Sequence, residues 1–433
     1  MPVSSAGAGG RWGGAAWRAL RQAARLVAAF ARWPTLLLIY LHMVFFALCL
    51  GAERADGPAA LRLVASALAM GLCYINATSL NDLSDQAADR INLAGDPSRP
   101  LAAGGARPAQ VWAVAVGAAV FCLAAAFLVG PPAALAAVAM LALNVAYSLP
   151  PVRIAGRGGL AQALLPLEYC AFPALLVWLA LGGFWMDDAV RASSASASAV
   201  GVLGSAAGPA AFAAADPAAG PAGAAAGPTA FPAAGPAAFP AAGPAAGPAA
   251  GPADLLPEAG VYWLMTAAMH LIFVGRVFLK DIRDEAGDRA TGKLTFTVRH
   301  GRRAAIACSA AATVVGTVAL SLVMCLGYDA SPGFVYGFCA LSLGGQLVAL
   351  AQAGRAAETA QAVLYTGVYS RWISMKIFFY VMVMALAASQ ASPLVEAVAL
   401  GGAALAIVCN VAMLYQDLRG ARLRRAPAEL APP

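Results

Sequence analysis

Charged residues are scarce in this sequence. Only 11% of its 433 residues are Asp, Glu, Lys or Arg, whereas 61% are hydrophobic. A water-soluble surface cannot be built from so little charge, which excludes an ordinary soluble domain. The apolar runs instead reach about 20 residues, the length that a helix needs to cross a hydrocarbon core roughly 30 Å thick. We therefore expect the bilayer to be the solvent of this protein.

Histidine is also rare, and the cysteines lack the spacing of a metal site. The three histidines, His42, His270 and His300, have no ligand-type residue nearby, and the eight cysteines form no CxxC pair and no Cys/His cluster. This pattern excludes a zinc centre and a Cys-x-x-Cys redox site. The cysteines fall within apolar segments, and we interpret them as small core side chains.

Uninterrupted apolar runs favour helices over the alternating strands of a barrel, so the sequence predicts an all-α integral membrane protein. We expect roughly ten spans, at approximately 35–52, 60–80, 111–129, 131–149, 160–183, 259–280, 304–327, 333–353, 372–389 and 395–415. Every second connection between them is basic. The positive-inside rule then predicts a multi-pass protein of the cell membrane with both termini cytoplasmic. The formal net charge of +7 accordingly reflects topology and contact with membrane lipids, not nucleic acid.

Composition divides the chain into five segments. Basic residues mark a cytoplasmic N-terminal segment, 1–34, and a cytoplasmic tail, 419–433, while two membrane halves occupy 35–190 and 258–418. Between the halves, residues 191–257 are a run of Ala, Gly, Pro and Ser. Frequent proline prevents a continuous helix, and small side chains bury too little surface to offset chain entropy. We expect a disordered non-cytoplasmic loop there.

Two acidic motifs end the second and the sixth predicted spans. Residues 81–90 read NDLSDQAADR, and residues 280–289 read KDIRDEAGDR. Both motifs place three aspartates at the same spacing, three residues and then four, and both lie on the predicted cytoplasmic side. Such a triplet occupies one face of a helix, within about 60°. The aspartates are Asp82, Asp85 and Asp89 in the first motif and Asp281, Asp284 and Asp288 in the second.

Three aligned carboxylates repel one another unless a cation lies between them. Mg²⁺ suits such a site, because it prefers oxygen ligands and commonly bridges carboxylates to substrate phosphates. Two acidic helix ends that face each other would hold a diphosphate through Mg²⁺, and four nearby basic residues are candidates for contact with its oxygens: Arg90, Arg99, Lys280 and Arg289. A solvated acidic loop is an equal alternative for one motif alone, but the repetition disfavours it.

These motifs resemble those of the UbiA superfamily of intramembrane prenyltransferases. The first motif, NDxxDxxxD, is matched at 81–89 and continues to Arg99-Pro100, and the second is matched from Asp281 to the Gly287-Asp288 pair, followed by Gly292 and Lys293. The resemblance implies a UbiA-like bundle of about nine or ten helices in two pseudo-repeated halves around a central cavity. It also implies that the six aspartates hold Mg²⁺ as catalytic residues and that Asn81 supports them.

The implied reaction transfers a polyprenyl group from a polyprenyl diphosphate to an aromatic or other lipophilic acceptor. The family usually has a YxxxK pattern after the fourth span, where this chain has Tyr147 but Pro151 at the lysine position. Either Arg153 or Arg157 is expected to supply the missing charge, and Arg binds phosphate differently from Lys. Tyr147 has an alternative interpretation, because tyrosine is common at membrane interfaces.

Two further charged residues, Glu168 and Lys376, fall inside predicted spans, where charges are functional by default. Either is a candidate for contact with the acceptor, although Lys376 has the alternative of extending to the interface. Arg32, just before the first span, is a topology signal or a contact for an acidic acceptor.

Two other functions stay open from sequence alone. The first alternative is a transferase of the same fold that uses a polyprenyl phosphate and a sugar diphosphate such as phosphoribosyl diphosphate. The second alternative, from a different class, is a divalent-cation transporter, which requires acidic residues deep within the spans.

Overall fold

The structure, a computed structural model, describes residues 9–51, 57–93, 95–182, 252–327 and 332–389, and the single positions 401, 408, 411, 412 and 415. Within these ranges the chain is nearly all helical, and the one isolated bridge pairs Arg157 with Leu294. The helices are α1 (Gly9–Ala31), α2 (Trp33–Cys49), α3 (Gly57–Asn92), α4 (Pro108–Val129), α5 (Pro131–Ser148), α6 (Gly159–Pro166), α7 (Phe172–Ala180), α8 (Pro252–Ala290), α9 (Phe296–Gly327), α10 (Pro332–Arg355) and α11 (Thr359–Ser389).

Proline marks several of the helix starts. Pro108, Pro131 and Pro173 lie in the first turn of α4, α5 and α7, where a missing backbone N–H costs nothing. Pro166 instead ends α6, and a π-helical turn, Leu167–Ala171, joins it to α7. We call this segment the π turn. The predicted fifth span is therefore one apolar segment, Gly159–Ala180, interrupted at its centre.

Seven described helical segments are long and apolar enough to cross a membrane, if the interrupted segment Gly159–Ala180 is counted as one. The pair formed by α1 and α2 is bent by 62° at Arg32 and brings the number to eight if it is counted as one span. The prediction of an all-α membrane bundle is thus confirmed. Helix α11 contains the predicted ninth span, 372–389. The tenth, 395–415, lies largely outside the described residues, as do the tail, 419–433, and most of the insert, 191–257.

Small residues allow close helix packing in this bundle. Gly275 and Gly316 lie where α8 meets α9: a Cβ atom would lie 2.7 Å from Thr313 Oγ1 at the first and 2.9 Å from the Ala268 carbonyl oxygen at the second. Close backbone approach of this kind is characteristic of helices packed in lipid, where van der Waals contact replaces the hydrophobic effect. Large apolar side chains such as Leu128 and Leu326 are exposed on the outside, as expected of a lipid-facing surface.

The acidic motifs lie at the ends of the two longest described helices. Helix α3 has 36 residues and α8 has 39, so each is longer than 50 Å at about 1.5 Å per residue, whereas the hydrocarbon core is about 30 Å thick. Three connections lie at the same end of the bundle as the C-terminal turns of these helices: 93–107, 149–158 and 291–295. Each of them forms an ion pair with an aspartate of α3, and the last two also pair with each other through the bridge between Arg157 and Leu294. Three connections predicted to share one membrane side are therefore neighbours.

Candidate active site

The C-terminal ends of α3 and α8 are joined by the side chain of Asn92. Its amide nitrogen donates to the backbone carbonyl of Asp284 at 2.8 Å, and its amide oxygen accepts from the N–H of Gly287, also at 2.8 Å. A Cβ atom on Gly287 would lie 2.6 Å from the carbonyl oxygen of Ala88. Glycine is therefore required where the two acidic helices touch, and the two motifs are adjacent.

A single lysine lies between the two sets of aspartates. Lys293 Nζ is 2.9 Å from Asp85 Oδ2 and 3.7 Å from Asp288 Oδ1, and only 9% of its side chain is exposed. Burial opposes its charge, but the Asp85 and Asp288 carboxylates outweigh burial and hold the pKa of Lys293 above its ordinary value. Sequence reasoning did not name Lys293 as a site residue, although it lies just after the second motif.

Arginines pair with three of the carboxylates. Arg99 Nη1 is 3.2 Å from Asp89 Oδ2. Arg153 Nη2 is 3.1 Å from Asp85 Oδ1 and 2.9 Å from the carbonyl oxygen of Ser84. The third arginine, Arg283, donates hydrogen bonds to both carboxylate oxygens of Asp284, at 2.8 and 3.3 Å. Arginine suits this arrangement because its planar fork presents several donors at once.

The remaining two aspartates have neutral partners. Asp82 Oδ2 accepts from the N–H of Leu101 at 3.2 Å, and its other oxygen is buried without a partner in the described structure. Asp281 Oδ2 accepts from Gln162 Nε2 at 2.6 Å. Asp82 and Asp281 are the first aspartates of their motifs, so in both motifs the first position has a neutral partner.

The two candidates for the missing lysine of the YxxxK pattern lie in different places. Arg153 reaches Asp85, whereas the Arg157 guanidinium donates to the carbonyl oxygens of Val152, at 2.6 Å, and Pro151. Arg90, a predicted diphosphate contact, is exposed at the end of α3. The structure thus brings Arg99 and Arg153 to the acidic helix ends and leaves Arg90 on the outside.

A cavity lies beside the acidic motifs, between α3, α5, the π turn and α8. Three residues predicted to contact substrate line it: Asn81, Tyr147 and Lys280. Tyr74 and Tyr169, whose ring centroids are 6.3 Å apart, form an aromatic wall. Glu168 and Arg32 also line this cavity. Residues from distant parts of the sequence therefore surround a single space next to both motifs.

Lys376 lies elsewhere. It is 1% exposed, and its Nζ donates to Thr317 Oγ1 at 2.7 Å and to Gln346 Oε1 at 2.8 Å. The side chain is held between α9, α10 and α11 instead of extending to the membrane interface. It is not among the residues that line the described cavity.

The acidic motifs have the donor chemistry of a Mg²⁺ site. All six aspartates offer carboxylate oxygens, the ligands that Mg²⁺ prefers, and one oxygen of Asp82 is buried without a partner. In the described residues no three His, Cys, Asp or Glu side chains are grouped closely enough to hold a metal ion, and basic side chains separate the carboxylates instead. Lys293 supplies the positive charge that aligned carboxylates require.

Comparison with protein families matches both halves of the chain. The model of the UbiA prenyltransferase family matches residues 40–219 and, again, 219–367. The chain belongs to the UbiA prenyltransferase family. Each of the two matched segments contains one acidic motif, at 81–90 in the first and at 280–289 in the second. The resemblance stated from sequence is therefore confirmed, and the two matches are consistent with two repeated halves.

One solved structure supports the assignment of the fold. A structure from work on digeranylgeranylglyceryl phosphate synthase in membranes matches with a TM-score of 0.51 and 12% identity, over 85% of this chain and 99% of that one. An apo UbiA homologue from Aeropyrum pernix K1 matches with a TM-score of 0.43 and 14% identity, over 80% and 94%. At such identity only the first likeness supports the fold, and neither indicates substrates. No curated protein sequence matches the chain significantly.

Proposed function

We propose that this chain is a Mg²⁺-dependent transferase that moves a polyprenyl group from its diphosphate to an aromatic or other lipophilic acceptor within the membrane. Membership of the UbiA prenyltransferase family supports prenyl transfer as the reaction class. The observation that carries the proposal is the meeting of two acidic motifs across Lys293, beside a cavity lined by their neighbours Asn81 and Lys280.

In this proposal Mg²⁺ is held by Asp82, Asp85, Asp89, Asp281, Asp284 and Asp288. The metal supplies charge neutralisation for the departing diphosphate. Lys280, Arg99 and Arg153 bind diphosphate oxygens, since all three are cations at the acidic helix ends or on the cavity wall. Asn81 and Tyr147 orient the same group by hydrogen bonds from the cavity wall. A contact at Arg90 would require the ligand to reach the exposed side of α3.

The cavity also suits a reaction in which water would compete with the acceptor. A prenyl carbocation reacts with water, so its site must exclude solvent. Met140, Leu143 and Leu165 give the cavity an apolar side, and Tyr74 and Tyr169 offer ring faces that stabilise a cation. The same space therefore provides polar contacts at the acidic motifs and apolar contacts for the hydrocarbon part of the substrates.

The test is product analysis with purified full-length protein in nanodiscs. Labelled prenyl diphosphates of several lengths are supplied with phenols, quinone precursors and glycerol phosphates, with Mg²⁺ or with EDTA, and products are identified by mass spectrometry. We expect a prenylated acceptor only with Mg²⁺. Transfer from polyprenyl phosphate to a sugar diphosphate would identify the alternative donor pair, and metal flux in proteoliposomes without prenyl transfer would overturn the proposal.

Two alanine variants test the acidic motifs. Asp85→Ala and Asp284→Ala each remove one carboxylate of a different motif, and we expect turnover to fall at least about 100-fold, as when a principal electrostatic contact is lost. The matched control is Glu358→Ala, which removes an exposed carboxylate before α11. Wild-type turnover in either aspartate variant would contradict the assignment, provided that size-exclusion chromatography shows an intact protein.

A further inference from the structure

Glu168 is a buried acid that the proposed transfer mechanism does not yet use. It lies in the π turn of a membrane-spanning segment, is 3% exposed and lines the cavity. One of its oxygens, Oε1, has no hydrogen-bond partner in the described structure. A buried carboxyl group without a partner is costly, particularly within a membrane. Short π-helical turns are found frequently at functional sites.

The same cavity also holds unpartnered donors. Arg32 Nε and Nη2 are buried and, like Glu168 Oε1, have no hydrogen-bond partner in the described part of the chain. Glu168 Oε1 and the two Arg32 nitrogens therefore do not form hydrogen bonds with each other, although both residues line the same cavity. A ligand with an O–H group for Glu168 and a second oxygen for Arg32 would satisfy them.

We propose that Glu168 binds the acceptor substrate through a hydroxyl group and takes up its proton during transfer, so that the acceptor is a lipophilic alcohol or phenol. This inference rests on the proposed function. The acceptor oxygen forms a bond to C1 of the prenyl group, while the C1–O bond to the diphosphate breaks and its electron pair leaves with the diphosphate. Glu168 is a carboxylate before the step, and the proton of the acceptor hydroxyl moves to its Oε1, so that the proton and the leaving electron pair are both accounted for.

The position of Glu168 fits an acceptor contact better than a diphosphate contact. The acidic motifs and their cations lie at the C-terminal ends of α3 and α8, whereas Glu168 belongs to the middle of the interrupted span Gly159–Ala180. In the described structure Glu168 forms no ion pair, unlike Asp85, Asp89 and Asp284, and an anion without a paired cation near the diphosphate would oppose binding. Tyr169, the next residue, stacks with Phe273 at a centroid distance of 5.9 Å, so the π turn is part of the apolar wall.

Glu168→Gln separates a chemical role from a structural one. Glutamine has the shape of a protonated glutamate and keeps its hydrogen bonds, but it cannot take a proton. We expect transfer to a hydroxyl acceptor to fall by about 100-fold or more, the usual contribution of a general base. The matched control is Glu358→Gln, the same exchange at an exposed position, for which we expect no change.

Binding of a non-hydrolysable prenyl thiolodiphosphate with Mg²⁺ distinguishes failure of this inference from failure of the proposed function. We expect Glu168→Gln to bind this analogue within about twofold of wild type. If wild-type protein neither binds it nor transfers a prenyl group, the proposed function is wrong. If the variant transfers within threefold of wild type, or loses the analogue along with transfer, the acceptor role is overturned.

A second test needs no variant. The methyl ether of an accepted alcohol or phenol lacks the O–H that Glu168 would bind, and wild-type protein should leave it unmodified. Prenylation of the ether at an undiminished rate would show that no hydroxyl proton is needed and would overturn the inference, even if Glu168→Gln failed to fold.

Discussion

Lys293 illustrates how one residue connects two distant parts of the sequence. Its ammonium group lies between Asp85 of α3 and Asp288 of α8. Exposed ion pairs contribute little to stability, but breaking a buried pair leaves an uncompensated charge. Lys293 therefore has two functions in our interpretation: it stabilises the junction of the acidic helices without ligand, and it adds positive charge beside a bound diphosphate.

Replacement of Lys293 by Met should destabilise the protein measurably. The change removes the cation between two buried carboxylates, and we expect a loss of about 3 kcal/mol in the free energy of unfolding, the lower part of the range for a broken buried pair. Thermal unfolding in detergent without divalent cations is the measurement. The control is Arg289→Met, which breaks an exposed i,i+4 pair with Glu285 and should cost about 0.5 kcal/mol. Equal effects of the two changes would contradict this interpretation.

At the residue scale, spacing predicted which carboxylates share a face but not their partners. The regular spacing of Asp82, Asp85 and Asp89 needs only helix geometry. The choice of Arg153 over Arg157 as the partner of Asp85 depends on how the loop 149–158 folds, and a single sequence does not contain that information. Glu168 was recognisable as an intramembrane acid, but its unpartnered oxygen required the π turn to be known.

At the scale of elements, the junction of α3 with α8 depends on one glycine. Any larger side chain at Gly287 would collide with backbone, because the Ala88 carbonyl oxygen would lie 2.6 Å from its Cβ. Backbone cannot move aside as a flexible side chain can. The two hydrogen bonds of Asn92 would be lost if the helices separated. Gly287 is thus required by packing, independently of any role for its neighbour Asp288.

Gly287→Ala should accordingly reduce both stability and turnover. We expect a loss of about 1–3 kcal/mol in unfolding free energy, the usual cost of overpacking, together with weaker binding of the thiolodiphosphate analogue. Gly260→Ala on the same helix is the matched control, since nothing lies within 4 Å of its Cβ position, and alanine should be neutral or stabilising there by about 0.5–1 kcal/mol. If Gly287→Ala behaved like the control, the close contact between α3 and α8 would be disproved.

Hydropathy located the helices well because a span must be long and apolar. The predicted spans 60–80 and 111–129 lie inside α3 and α4, and the predicted span 131–149 extends one residue beyond the end of α5 at Ser148. Hydropathy missed the bend of 62° at Arg32 and the π turn at 167–171. A proline lies beside each interruption, Pro34 at the first and Pro166 at the second, but a hydropathy profile does not report backbone conformation.

At the scale of the whole molecule, the two halves contribute equivalent parts to one candidate site. Each half supplies a long helix that ends in an acidic motif, and each is matched separately by the family model. The repeat in the sequence predicted this arrangement, because two motifs with the same aspartate spacing on the same membrane side are expected to meet. The number of spans was not settled in this way, since the predicted tenth span lies largely outside the described residues.

The insert between the halves should be dispensable for catalysis. All six aspartates, Lys293 and Glu168 lie outside residues 191–257, and the composition of the insert offers no charged or nucleophilic cluster. Replacing residues 196–245 by a short Gly/Ser linker should therefore leave Mg²⁺-dependent turnover and analogue binding within about twofold of wild type, because a flexible linker between the halves costs only loop-closure entropy. Turnover and binding are measured in nanodiscs against the full-length chain. A large loss of turnover in a protein that still binds the analogue would show that the insert takes part in the reaction, and would assign it a role that its sequence does not suggest.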